Sequence, residues 1–244
     1  MAKNNDIKQL FNLSKNISNN PIKRKQLHRV PKPMQRYFHF ALPERRTHIS
    51  YARLKHGGKF KQKTRWTTIK GEEYFTTEKP GFVWIGKVPF FQAKDKYLNG
   101  KGELTVKLFS FIQIIQEKGA EVTQGELLRW LGEAPWYPTA LLPSDRLRWE
   151  EIDEKAAKAI LTDGQLQVEG QFFVNKEGKI THFKAKRYKE GTLENWTGYY
   201  RNYQLLHGVR VPTNVEVAWN LEEGDISYAK FSIEKIEYDI PEPF

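Results

Sequence analysis

The stretch that decides the fold is residues 122–149, VTQGELLRWLGEAPWYPTALLPSDRLRW. Thr123 followed three residues later by Glu126 has the spacing of a capping box, in which the hydroxyl and the carboxylate satisfy each other's backbone amides. Val122 and Leu127 form the matching hydrophobic staple. At 100° per residue, Leu127, Leu128, Trp130, Leu131 and Ala134 share one arc, while Glu126, Arg129 and Glu133 make a narrow stripe outside it. The spacing therefore predicts a helix over residues 123–134, ended by Pro135, which brings no amide donor and disfavours helical geometry at Ala134. Residues 136–142 are too apolar for an ordinary exposed loop and are expected to lie against a sheet. Gly125 near the helix start costs about 1 kcal/mol relative to Ala, which implies that something packs closely there.

The stripe supports two readings. Glu126 serves as a cap with Arg129 as its partner one turn on, a spacing that stabilises a helix by a few tenths of a kcal/mol. Alternatively Glu126, Arg129 and Asp145 form a polar cluster at the rim of an apolar cavity, placed to orient a ligand headgroup.

Outward from this helix the hydrophobic period is two. Strands are read from His48 to Leu54, with Gly57-Gly58 as a turn, then over residues 66–70, 73–77 and 82–88, separated by Gly71 and by Pro80-Gly81. Leu104, Val106, Leu108, Ile112 and Ile114 share parity and read as one long strand entered through Asn99-Gly100. Beyond Trp149 comes a meander with turns at Thr162-Asp163-Gly164, residues 175–178, His207-Gly208 and residues 222–225. The inward set of the last strand shifts from Ala229, Phe231 and Ile233 to Ile236 and Tyr238, which implies a β-bulge near Glu234 and Lys235.

The fold class expected is α+β: a strongly curved antiparallel sheet of about ten strands, an unclosed β-barrel, with one central helix in its concave side. Residues 1–47 read as a basic, partly helical arm and residues 48–244 as a single half-barrel domain. The net charge of +11 is placed unevenly: residues 1–65 hold 17 Lys and Arg against 2 Asp and Glu, and the rest holds 23 against 27. Lys23, Arg24, Lys25 and Arg29 are the densest cluster, flanked by Ile22, Leu27 and Val30. A basic arm on a mildly acidic body suggests a tether to an anionic surface.

Much chemistry is excluded or finds no support. There are no cysteines, so disulfides, thiolate nucleophiles and Cys-ligated metals are out. The six histidines show no zinc-ligand spacing. There is no Gly-x-Ser-x-Gly elbow, P-loop or dinucleotide fingerprint. On a strand the neighbours Glu72 and Glu73 point to opposite faces and cannot act as an acid/base pair. No catalytic residue, metal or cofactor is assigned. The aromatic strand residues are seldom interleaved with Lys or Arg, so nucleic acid is disfavoured as a partner. Residues 1–20 contain no signal-peptide-like apolar segment, which leads to the expectation of a cytoplasmic protein, peripheral at the membrane through its arm.

Two resemblances extend this reading. The phrases VPKPMQRYFHFAL, GEEYFTTEKPGFVW, QGELLRWLGEAPWYPTALLPSD and AILTDG resemble those of a family of prokaryotic proteins known only as a domain of unknown function, over most of the chain after Val30. The ending GYYRNYQLLHGVRVPTNVEVAW with FSIEKIEYDI is similar to the final hairpins of the outer-membrane lipoprotein carriers (LolA-like). That second resemblance implies an unclosed barrel with helices in its open side and an apolar cavity for acyl chains.

The function expected is the binding of a lipid or other long hydrophobic molecule. Glu126, Arg129 and Asp145 would lie at the cavity rim, with Trp84, Trp136 and Trp219 among its walls. Lys23, Arg24, Lys25 and Arg29 would meet anionic membrane. The alternatives are an enzyme with Glu126 or Asp145 as general base and Arg129 steadying an anion, or a structural or interaction module with no small ligand.

Overall fold

A computed structural model describes residues 2–45, 47–62, 64–109 and 111–244, without the side chains of residues 2–4, 24, 26 and 62. Its sheet begins with β1 (Tyr51–Gln62), β2 (Arg65–Thr76), β3 (Gly81–Val88), β4 (Phe91–Leu98), β5 (Lys101–Leu108) and β6 (Ile112–Lys118). It continues with β7 (Leu147–Glu151), β8 (Ala156–Asp163), β9 (Leu166–Val174) and β10 (Ile180–Lys189). The last three strands, β11 (Thr192–Leu206), β12 (Val209–Leu221) and β13 (Gly224–Tyr238), are the long ones. Three α-helices accompany them among the described residues: α1 (Ala2–Asn12), α2 (Lys32–Ala41) and α3 (Ala120–Glu133).

The thirteen strands form one antiparallel sheet in the order β6-β5-β4-β3-β2-β1-β13-β12-β11-β10-β9-β8-β7. It consists of two hairpin meanders joined along β1 and β13. Its two edge strands, β6 and β7, are consecutive in the chain, and the segment between them contains α3. That helix packs against β3 to β6 of one arm and against β9 and β10 of the other. The sheet therefore curls around α3 and stays unclosed, an α+β half-barrel with a central helix.

The segment 136–142 lies against the sheet as its apolar composition demands. Trp136, Tyr137, Leu141 and Leu142 are buried, and hydrogen bonds satisfy the polar ends of the rings. Trp130 donates to Thr76 O at 3.0 Å, Trp136 to Pro212 O at 3.0 Å and Trp149 to Leu141 O at 3.0 Å. The helices outside this segment also pack on the sheet. Met34, Tyr37 and Phe38 of α2 enter the core shared with α3, while Ile7, Leu10 and Phe11 of α1 cover Tyr51, Tyr74, Val83 and Ile85 on the convex face.

Several local readings of the sequence give way. The capping box does not form, because α3 starts three residues earlier, after Gly119. Thr123 Oγ1 instead donates to Gly119 O and accepts from the Gly102 amide of β5 at 3.1 Å. Gly102 is where the helix sits down: an added Cβ would lie 2.7 Å from Thr123 Cα. Gly57-Gly58 and Gly71 are not turns but lie inside β1 and β2. At Gly58 a Cβ would stand 2.0 Å from Lys230 O, and at Gly71 it would enter the His56 ring. The long strand expected over residues 104–114 is two strands, β5 and β6, paired antiparallel from Leu108 and Ile112. The bulge of the last strand falls at Glu234, between the pairs Lys55–Lys235 and His56–Ile233.

Candidate functional site

The polar stripe of α3 faces the sheet and meets charged residues from both arms. Arg129 donates to Glu73 Oε1 of β2 at 2.8 Å, Asp95 Oδ2 of β4 at 2.5 Å and Glu133 Oε1 one helical turn on at 2.9 Å. Its guanidinium lies 4.9 Å from the ring centres of both Phe82 and Trp84. On the other arm Arg187 of β10 pairs with Glu126 at 3.0 Å and stacks 5.5 Å from the Trp196 ring centre. Gly125 lets it approach, since a Cβ there would lie 2.8 Å from Arg187 Nε. The close packing implied by that glycine is thus a guanidinium.

These six groups make a buried charged layer across the half-barrel: four carboxylates against two guanidiniums. Full ionisation would leave two negative charges in excess, a costly state in a low-dielectric interior. Burial accordingly pushes Glu73 well above the usual carboxylate range, and the charge of Glu133 pushes it further, against the pull of Arg129. Burial also raises Asp95 and Glu133, and lifts Glu126 to about 7 despite Arg187. Burial alone would lower Arg129, but the surrounding carboxylates hold its proton firmly. Two buried carboxylate oxygens in this layer, Asp95 Oδ1 and Glu126 Oε2, accept no hydrogen bond from the described residues, whereas Glu133 shares a hydrogen bond with the protonated Glu73.

A neutral pair adjoins the layer. His56 of β1 is buried, and its Nε2 accepts the Trp84 indole proton at 2.8 Å. Burial lowers the His56 pKa to about 4. Among the described residues, no group of three or more His, Asp or Glu is placed to hold a metal ion.

Beyond the charged layer, toward the β1–β2 turn, the inward-facing rows stay apolar but are no longer covered. On β1 Ala52, Leu54 and His56 are buried and Phe60 is half-buried; on β12 Val215 and Val217 are buried and Trp219 is half-buried. Val88, Ala93, Val106 and Tyr228 are likewise half-buried, and all seven residues of the edge strand β6 are exposed. The result is an open apolar trough at the mouth of the half-barrel, with the largely buried charged layer beneath it. A small pocket of about 60 Å³ lies beside Ile22, Leu27 and Phe38.

The residues singled out from the sequence are dispersed. Glu126, Arg129 and Trp84 come together in or against the charged layer. Trp219 lies in the trough, where it stacks on Tyr228 with 6.1 Å between ring centres. Trp136 is in the packed half. Asp145 does not join Glu126 and Arg129: it is exposed in the turn before β7, where Ser144 caps the amide of Leu147 at 3.1 Å. Lys23, Lys25 and Arg29 are exposed, and the side chain of Arg24 lies outside the described residues. The sequence reading assigns none of Glu73, Asp95, Arg187 and His56 to the site. Their signal was parity: each is a polar residue on an otherwise apolar inward row, Glu73 with Phe75, Asp95 with Tyr97, Arg187 with Phe183 and His56 with Leu54.

The chain is similar in structure to a LolA superfamily protein from Nitrosomonas europaea, at 13% identity and a TM-score of 0.47, over 84% of this chain and 91% of that one. It is similar also to a DUF1329 family protein from Desulfovibrio piger, at 10% identity and a TM-score of 0.45, over 79% and 87% of the two chains. No curated protein matches its sequence. The model of the family of unknown function DUF6920 matches residues 28–238, and the chain belongs to that family.

Proposed function

We propose that this protein binds a lipid or another long hydrophobic molecule, held along the open trough rather than in an enclosed cavity. The observation that carries this reading is the continuation of the inward apolar rows past the last layer covered by α3. Phe60, Val88, Ala93, Val106, Trp219 and Tyr228 offer an apolar lining at the mouth of the half-barrel. Ligand sites ordinarily combine such a lining with a few convergent polar groups. Here those groups belong to the charged layer beneath the lining, where the side chains of Arg129, Asp95 and Glu133 keep 12%, 16% and 14% of their surface. A hydroxyl or ammonium headgroup would meet acceptors there while its chain lies along the aromatic wall.

The test is native mass spectrometry of the full chain purified without detergent, together with tryptophan fluorescence during titration with oleyl alcohol. A co-purified lipid mass, or saturable quenching that Val106→Asp weakens, is the expected result. A bare polypeptide mass with no fluorescence response would sink the proposal.

One observation favours a second reading. Glu126 is a buried carboxyl paired with Arg187 at 3.0 Å, and burial pushes it up to about 7, the range that suits a general acid or base, so an enzyme acting at the charged layer is the alternative. It would be supported by a reaction whose rate falls in Glu126→Gln with ligand binding unchanged.

A further inference from the structure

The end of the sheet that carries the trough also carries the most exposed hydrophobic side chains of the molecule. Phe90 is 67% exposed, Phe109 55% and Phe111 72%. They sit at the tips of two adjacent hairpins, β3–β4 and β5–β6. The tips are built as one unit: the Phe109 amide donates to Phe90 O at 2.7 Å. The Phe90 and Phe109 rings meet edge-on at 5.9 Å between centres, and Phe109 and Phe111 stack at 6.4 Å. Ile112, Ile114 and Ile115 extend the apolar surface along β6 and are all exposed.

Folding does not explain these rings. Val88 to Phe91 is a four-residue turn with Pro89 in its second position and Phe90 at φ 70° in its third. That third position of a type II turn requires positive φ and belongs to Gly or Asn. Phe109 also has positive φ, at 50°. An L side chain with a Cβ is disfavoured in this region, and here the bulky ring gains little burial in exchange. Two neighbouring turns thus carry aromatic residues at a cost to the fold.

Their electrostatic setting selects an occupant. Residues 58–62, 64–70, 86–92, 105–109 and 111–115 make up this rim of the β1–β6 arm and hold six Lys and Arg and no Asp or Glu. On the other arm at the same end, residues 161–168, 186–194 and 220–227 hold three Lys and Arg against six Asp and Glu. The end is therefore polarised, with its aromatic tips on the basic side. Aromatic rings flanked by Lys and Arg suit the interface of an anionic bilayer, where the rings enter the headgroup level and the cations meet lipid phosphates. We propose that the β3–β4 and β5–β6 hairpin tips seat this protein on an anionic membrane surface, with Lys59, Arg65, Lys87 and Lys107 as the electrostatic contacts. The trough then opens toward the bilayer.

This surface is distinct from the basic N-terminal cluster. Pro21 bridges to Thr47, which places that cluster near the start of β1, whereas the tips lie at the far end of the same sheet. The twelve-residue β1 separates the two ends by roughly 40 Å at about 3.3 Å per residue. A flat bilayer seated on one therefore does not reach the other.

The test is flotation of the full chain with vesicles of phosphatidylcholine containing one-third phosphatidylglycerol, and with vesicles of phosphatidylcholine alone. The expected result is binding to the anionic vesicles that weakens with salt. In the double variant Phe90→Gly/Phe111→Ser, partition should fall by at least about tenfold while the urea midpoint stays level or rises, because glycine relieves the turn. A second variant, Lys23→Glu/Lys25→Glu/Arg29→Glu, should float as the unmodified protein does. The proposal is overturned by no flotation at low salt, or by equal flotation of the tip variant. It is equally overturned if the cluster variant alone loses binding, or if native mass spectrometry shows a dimer through these tips that Phe90→Gly/Phe111→Ser dissolves.

Discussion

Replacing Glu126 by Gln should stabilise this protein at alkaline pH, although it removes one partner of a buried ion pair. Burial lifts the Glu126 carboxyl from its ordinary 4.5 to about 7, so the folded chain keeps a proton that the unfolded chain has released. A group of this kind contributes its full stability below the unfolded value and loses it as pH rises through the folded value. At about 1.4 kcal/mol per pH unit, the loss between pH 4.5 and 8 is about 3 kcal/mol. His56 works in the opposite direction: burial lowers it from 6.5 to about 4, so its contribution is present at high pH and lost as pH falls through that window. The two slopes oppose each other between roughly pH 4.5 and 6.5, and the stability curve of the unmodified protein alone does not resolve them. The difference between Glu126→Gln and the unmodified protein does, because His56 is common to both. Gln fits the same space and still accepts from Arg187. The gap between the two proteins should therefore move by about 3 kcal/mol in favour of the variant from pH 4.5 to 8. With a urea slope of about 3 kcal/mol/M, this is a relative midpoint shift of about 1 M, read by tryptophan fluorescence. A gap that does not change with pH, or one that moves against the variant as pH rises, would refute the account of the charged layer.

The other perturbations have simpler signs. Arg129→Met leaves Glu73, Asp95 and Glu133 without their common cation; it should cost about 3–5 kcal/mol at neutral pH and less in acid, as urea unfolding at two pH values would show. Trp84→Phe keeps the stacking surface but removes the proton donated to His56 Nε2; a loss of about 1–3 kcal/mol in thermal or urea unfolding is expected. Gly102→Ala places a methyl group against the backbone of Val122 and Thr123; overpacking should cost about 1–3 kcal/mol, where the same change on an uncrowded strand would be neutral or better.

How far the sequence carried can be argued from particular residues. The apolar arc of α3, the stop at Pro135 and the burial of residues 136–142 were legible because each follows from local spacing. So were the turns at Asn99-Gly100 and His207-Gly208, and the bulge at Glu234, which breaks strand parity. What misled was glycine. Gly57-Gly58 and Gly71 resemble turn residues, yet they serve close approaches to β13 and to His56 that only the assembled sheet defines. The opposite error came from Phe109: no Gly or Asn marks that turn, so β5 and β6 merged into one strand. The charged layer was half legible. Glu126 and Arg129 stood out on the helix, but their partners Arg187, Glu73 and Asp95 come from distant strands, and no local pattern announces such pairings. Asp145 was drawn in by proximity in sequence, and a turn carries it out to solvent.

The strand order also bears on how the chain reaches this state. Eleven of the twelve neighbouring pairs join strands that follow one another in sequence; only β1 with β13 brings remote segments together. Each arm can form hairpin by hairpin with little loop-closure entropy, whereas the central seam must close a loop of most of the chain. Until it closes, β1 and β13 are two further unpaired edges of the kind that invite wrong partners. The seam at the centre of the finished sheet, rather than either of its open edges, is thus the kinetic weak point of the fold.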